Sequence, residues 1–499
     1  MRIARHYAAA RAVPEANIIA LPMPTEETIA WREFVPLIWD PLLELLVREE
    51  WVDAIPMDLV DLVGRRRYVA NSHRIAALVV CRGVPLRIAH DPALYEPTLP
   101  FTTRGELRTN AGAVDGELAL LAMPDHAINA FVPNPLFQNE RPRFFDEQQI
   151  VKVSRLDGPT AADAMALVDR AIVAERQGLF GRAYVDLSHR DPVGDGWLEA
   201  TANQLEALGF ETVVDRESAT FPAGARMDAP VFYFGWYAEN LDGPFALPGF
   251  QFPPGAIAFH MHSFSATTLR STSAGWAGPL VARGVTATFG NVDEPYMLGM
   301  HRPNLVLRAL SRGANLVDAA YFGLQALSWQ EVLIGDPLYR PFGPATDAGS
   351  RVAVPSGLEP YAVLRNCRTL ERAGRGADAL SLLRTAQATA PSLPVGVELA
   401  KRLRAAGDVK GVESALGFVR TVDKLPTDQW ALAFEAAQLL ADSGGARVAV
   451  PILALVLSQK SMPRDVRVLW LRQAAAIASS AGDRGKASAW TREADELSR

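Results

Sequence analysis

The stretches Val231–Tyr237, VFYFGWY, and Gly255–Arg270, GAIAFHMHSFSATTLR, decide the fold. Each opens on a short apolar, aromatic and β-branched run and then breaks into polar residues. Short apolar runs bounded by Gly and Pro read as fully buried strands of a parallel sheet, where ligands gather beyond the carboxyl ends. The first run ends at Gly235 and presents Trp236, Tyr237, Glu239 and Asn240; the second ends in His260, His262, Ser263 and Ser265. These residues form the expected pocket, together with Asp293 and Glu294 of GNVDEPY, which follows another apolar run.

Outward from this centre, the chain alternates strand and helix from Ile150: strand IVKVSRL, helix 161–177, strand RAYVDLS, helix 196–208, strand TVV. Helices then fall near 276–282, 304–311 and 316–327, and EVLIGDPLYRPF closes the unit. The reading is α/β, a mostly parallel open sheet with helices on both faces. Strands near 182–187, 231–235, 255–260, 285–289 and 331–335 should share one sheet. Upstream, residues 1–149 form an N-terminal α/β region: helix 3–12, strand Asn17–Leu21, a helical stretch 26–48 crossed by Pro36 and Pro41, strand Ile75–Cys81, and a helical pattern in VDGELALLAM. Residues 124–147, dense in Pro, Asn and Phe, read as a long surface excursion.

Residues 343–358, rich in Gly, Pro, Ala and Ser, read as a linker that few contacts cross. Beyond it, residues 359–499 are rich in Ala, Leu and Arg. AGRGADALSLL, AAGDVKGVESAL, SGGARVAVPIL and SAGDRGKASAW recur with turn glycines at Gly374, Gly407, Gly444 and Gly482. That spacing is close to the helix-turn-helix period of tetratricopeptide repeats, and such arrays bind protein or peptide partners.

Composition narrows the function. The 499 residues are 49% hydrophobic and 21% charged with net charge -6, an ordinary globular balance that gives no footprint for nucleic acid. Two cysteines, Cys81 and Cys367, allow neither a disulfide framework nor a thiolate zinc site; both read as buried small hydrophobes, dispensable for any activity. No apolar run is long enough for a transmembrane segment and no signal peptide opens the chain, while RIARHYAAARAVPEANIIAL starts in mid-helix, as a truncated start would. The compartment is therefore left open. GxGxxG and GxxxxGK[ST] are absent, so no cofactor is assigned.

Each candidate residue has two readings. His260 and His262 form an H-x-H pair, which the strand period places on one face. They could ligate a metal with Glu239, Asp293 or Glu294 as the third ligand, but no fixed spacing supplies one, and the alternative is one buried and one solvated imidazole. Ser263 and Ser265 could be nucleophiles with either histidine as base, or could cap a helix start. Asp336 could cap a turn or anchor Arg340. Asp115, Glu117, Arg87, Arg155 and Asp157 lie beside apolar runs as ion pairs or caps, unless a strand end brings them to the pocket.

YAAARAVPEANIIAL, CRGVPLRI, VDGELALL, SRLDGPT, YFGWYAENLDGPF, HMHSFSATTLR, GNVDEPY and ALSWQEVLIGDPLYRPF together resemble, over residues 1–342, a bacterial family with no assigned activity. Segment 231–342 is also similar to the gingipain branch of the caspase-like cysteine peptidases. In that pattern Gly235-Trp236 stands where the histidine should be, His262-Ser263-Phe264-Ser265 where the cysteine should be, and Gly335-Asp336-Pro337 matches the close of the domain. With no cysteine at that strand end, the resemblance implies a degenerate peptidase-like domain. The chain then reads as an interaction or scaffold protein, or alternatively as a hydrolase using a Ser/His pair.

Overall fold

The computed structural model describes residues 1–94, 104–123, 125–343, 354–422 and 424–499. Its centre is an eight-stranded sheet. In chain order the strands are β1 (Leu78–Cys81), β2 (Val153–Leu156), β3 (Arg182–Asp186), β4 (Thr212–Asp215), β5 (Pro230–Gly235), β6 (Ile257–His260), β7 (Ala287–Asn291) and β8 (Glu331–Gly335). In space they run β4-β3-β5-β6-β7-β8-β2-β1, so the five expected central strands do share one sheet. Every neighbouring pair is parallel except β7–β8. That single reversal divides the sheet into a block of five strands running one way and a block of three running the other.

Helices cover both faces. On one side Phe232 and Phe234 of β5 pack with α4 (Pro192–Ala207), α6 (Pro303–Ser311) and α7 (Leu316–Gly323). On the other Tyr233 and Ala258 meet α3 (Ala161–Gln177), α5 (Ala277–Ala282) and α1 (Arg2–Arg11). This is the alternation a strand period of two requires when both faces are buried. Capping sharpens the helix starts: Thr160 accepts from the Asp163 amide, and Asp191 from the amides of Val193 and Gly194.

Residues 1–149 are not separate from this sheet, because they supply its edge strand β1 and share its core. The stretch Asn17–Leu21 forms no strand; Asn17 ends a 3-10 turn, Ile18 is extended, and the residues after it line a cavity beside β1 without pairing to it. Pro36 and Pro41 do not break the helical stretch, since Pro36 lies in a π-helical turn (Val35–Trp39) and Pro41 in the first turn of α2 (Asp40–Arg48), where a missing N–H costs least. An unexpected hairpin, Val52–Val60 with Arg66–His73, leaves Ile55, Val60 and Val69 exposed. Residues 125–147 are anchored in their first half, where Asn134 donates from Nδ2 to Tyr321 O (2.9 Å) and Leu324 O (2.7 Å), and run over the surface in their second, where Phe144 and Phe145 are exposed.

The C-terminal region is four helical hairpins: α8 (Glu359–Arg372) with α9 (Gly376–Thr389), α10 (Leu393–Ala405) with α11 (Val409–Leu416), α12 (Trp430–Asp442) with α13 (Ala446–Leu457), and α14 (Arg464–Ser480) with α15 (Arg484–Ser498). Gly374, Gly407, Gly444 and Gly482 adopt φ of 73°, 74°, 84° and 81° at these turns, the left-handed conformation that ends a helix at a glycine. Most of the expected linker lies outside the described residues. The expectation of few crossing contacts is not met. Arg226 donates to Asp228 (2.6 Å), to Glu398 (3.2 Å) and to Glu435 (3.1 Å), and the Tyr361 hydroxyl donates to Asp228 (2.8 Å). The Arg226 and Arg182 guanidinium groups hold the buried Asp228 carboxyl far below the usual carboxylate range despite its desolvation.

Candidate functional site

Four of the non-glycine residues with left-handed backbone lie at the carboxyl edge of the five-strand block; others, such as Ala12, Glu50 and Ala229, lie elsewhere. Loops at that edge hold His189, Phe264, Tyr296 and Ser328 at φ of 56°, 60°, 51° and 52°. Left-handed backbone at non-glycine residues costs of order 1 kcal/mol or more each and gathers at functional sites. Between β5 and the loop after it, the Trp236–Tyr237 peptide bond is cis.

The two histidines part company at this edge. β6 ends at His260, so the period of two does not reach His262. His260 is fully buried, stacked on Trp276 with ring centroids 3.6 Å apart. Its Nε2 accepts from the Ala238 amide (2.8 Å) and Nδ1 bonds the Tyr233 hydroxyl (2.9 Å). Assigning protons from this network puts the ring proton on Nδ1 and turns the Tyr233 hydroxyl toward Asp186 (3.4 Å). Burial pushes the His260 pKa well below its ordinary value and raises that of the Asp186 carboxyl to about 8. His260 is thus a neutral core residue with both nitrogens committed, unable to serve as base or ligand.

His262 is different. Its Nδ1 bonds the Ser263 carbonyl, and its Nε2 has no partner among the described residues. Burial lowers its pKa, with Glu239 and Glu294 opposing. The His262 and Tyr237 ring centroids lie 4.3 Å apart, and the Arg190 guanidinium sits over the Tyr237 ring, 4.4 Å from its centroid. Phe264 and Tyr296 stand exposed on the rim. Sequence reasoning missed Arg190, whose only signal is its place just after the apolar run of β3.

The remaining candidates are mostly structural. Trp236 is buried, donates to Asp195 (2.9 Å), and packs on Gly194, where a Cβ would meet the indole at 2.2 Å. Asn240 accepts from the Gly275 amide (2.8 Å). The Ser265 hydroxyl accepts from the Asn291 amide (3.1 Å) and is fully buried. Asp293 accepts from the Glu294 amide (2.9 Å) and Glu294 from the Tyr296 amide (3.0 Å), so both carboxylates turn to their own loop; Glu239 is exposed. Among the described residues no hydrogen bond joins the Ser263 or Ser265 hydroxyl to an imidazole ring, and no three His, Cys, Asp or Glu side chains converge there as metal ligands.

Strand direction removes other candidates. β2 and β8 run against β6, so Asp157 and Asp336 emerge at the opposite edge. Asp336 pairs with Arg11 (2.5 Å), not with Arg340. Arg155 is fully buried and bonded to Asp115 (2.5 Å). Glu117 is bonded to Ser328 and to His126 (3.3 Å), and Arg87 holds Thr267 O. Both thiols are pushed up to about 11 by burial. Among the described residues no helix is long and apolar enough to cross a membrane. Comparison with known proteins gives no match: no family model, no curated protein and no solved structure.

Proposed function

We propose that the chain is a non-peptidase interaction protein, in which a degenerate peptidase-like sheet binds a peptide at its carboxyl edge and the tetratricopeptide-like helices 359–499 engage a protein partner. The observation that carries this reading is the Arg190–Tyr237–His262 cluster, in which the guanidinium lies over the phenol ring and the imidazole is tilted against it. A cation, a phenol ring and an open imidazole nitrogen, rimmed by exposed Phe264 and Tyr296, offer stacking and hydrogen bonding without a poised nucleophile. Exposed Ile55, Val60 and Val69 on the hairpin add an apolar surface of the kind contacts between proteins use.

The alternative is a hydrolase using Ser263 and His262, favoured only by the partnerless Nε2. No carboxylate orients that ring, because Nδ1 faces a carbonyl. A peptide array probed with the wild type, Tyr237→Ala and Arg190→Ala, beside fluorophosphonate labelling with and without chelator, separates the two. The interaction reading expects capture that both substitutions abolish and no labelling. Labelling lost in Ser263→Ala overturns it.

A further inference from the structure

Beside β1, at the far side of the sheet from Tyr237, lies a cavity of about 720 Å³. One wall is β1 itself, with Val79 and Cys81; the other is the stretch that includes Ile19 and Leu21; α1 and α2 roof it through Ala4 and Leu42. β1 is paired on one side only, with β2. Leu78 N–H donates to Lys152 O (2.8 Å) and Arg82 N–H to Leu156 O (2.9 Å). The alternate amides, those of Val79 and Cys81, therefore aim the other way, toward the cavity. Among the described residues no hydrogen bond reaches them, nor the amides of Ile19, Ala20 and Leu21 opposite.

The free edge of β1 thus faces the void with its donors unused, and each unpaired amide that is shielded from water costs about 1–3 kcal/mol. LVVC carries no Pro, Lys or bulge, the devices that normally guard a free edge. An apolar small molecule would fill the space but leave the amides of Val79 and Cys81 unpaired. A peptide strand satisfies them. The lining from Ile75 to Cys81 is uncharged, which favours an apolar middle; Glu49, paired with Arg48 (3.1 Å), and Arg74 stand toward the Ile75 end, and Arg82, which also donates to Gly158 O (2.9 Å) and Pro159 O (3.1 Å), at the other.

We propose that this cavity is a strand-acceptor site, taking one extended β-branched peptide segment of about five residues in parallel with β1, its carboxyl end toward Arg82. The occupant extends the eight-stranded sheet by one strand, with an apolar middle, a basic residue beside Glu49 and an acidic one beside Arg82.

The test uses full-length protein and the fluorescein-labelled peptide Lys-Val-Ile-Val-Ile-Val-Glu, against the same peptide N-methylated at alternate amides in either register. Saturable binding is expected, weakened about tenfold or more by N-methylation, which deletes hydrogen bonds and keeps apolarity. Val79 and Cys81 amides should gain protection from hydrogen exchange, and palmitate should not compete. Ala4→Trp, which fills the cavity, should abolish binding; if that variant fails to fold, the N-methylated pair still decides. Equal binding of the N-methylated peptides, displacement by palmitate, unchanged exchange at Val79 and Cys81, or no binding overturns the proposal.

Discussion

Replacing Arg226 by Ala tests how firmly the helical hairpins are fixed to the sheet. The guanidinium bridges Asp228 (2.6 Å) beneath β5, Glu398 (3.2 Å) on α10 and Glu435 (3.1 Å) on α12, and Asp228 is fully buried. Breaking a buried pair by removing one partner costs roughly 3–5 kcal/mol. Asp228 would keep the hydroxyls of Tyr361 (2.8 Å) and Tyr184 (3.2 Å), so the low end applies, about 3 kcal/mol. Arg226→Lys should recover only part, because an ammonium cannot fork across Asp228 and still reach both glutamates. Guanidinium unfolding followed by tryptophan fluorescence is the assay. The sign of the pH dependence is fixed as well. Asp228 and Glu398 are held below their unfolded values, so their stabilisation is complete above about pH 4 and lost as pH falls through the folded pKa values. Arg226→Ala should blunt that acid sensitivity, and residues 1–342 expressed alone should melt below the full chain. A loss under about 1 kcal/mol, the value of an exposed pair, would refute the reasoning.

Asp186, with its pKa raised to about 8 by burial, holds a proton that the unfolded chain releases, so wild-type stability falls as pH rises from about 4 to 8; Asp186→Asn should gain on the wild type across that window in thermal melts and stay level above it. His260→Ala should destabilise by about 2–4 kcal/mol, since it empties a stacked site, orphans the Ala238 amide and leaves the Tyr233 hydroxyl only Asp186, whereas His262→Ala should cost less stability than that and weaken peptide capture. The Cys81→Ala, Cys367→Ala double variant should fold and keep any measured activity, because thiols raised to about 11 are not nucleophiles at neutral pH; loss of activity in the folded double variant, with Ser263→Ala still active, would refute this.

What was legible follows from where a residue's role is local. VFYFG and AIAFH bury both faces, so their composition alone announces strands, and Gly374, Gly407, Gly444 and Gly482 mark turns because the left-handed closing residue of a helix favours glycine. Strand direction is not local. Nothing in EVLIG distinguishes a strand running with β7 from one running against it, which is why Asp157 was a possible pocket residue until the reversal sent it to the other edge. NIIAL has strand composition but no paired neighbour among the described residues, and composition cannot supply a ladder. At the site, Tyr237, His262 and the rim were readable from the break after each apolar run. His260 was not, because its last strand position turned it onto Trp276 rather than outward, and Arg190 had no pattern around it.

The place of β8 between β7 and β2 has a consequence for synthesis. β2 is complete at Leu156 and β7 at Asn291, but the strand that joins their blocks begins only at Glu331. At ribosomal speeds of about 5–20 residues per second, the interval from Asn291, when both blocks first exist, to Glu331 lasts roughly 2–8 s. Throughout it the nascent chain carries two half-sheets, each with an apolar inner edge that no local segment can cover. The last strand of the sheet to be made is therefore the one that unites it, and a ribosome paused before Glu331 would display those edges to chaperones and to neighbouring chains alike.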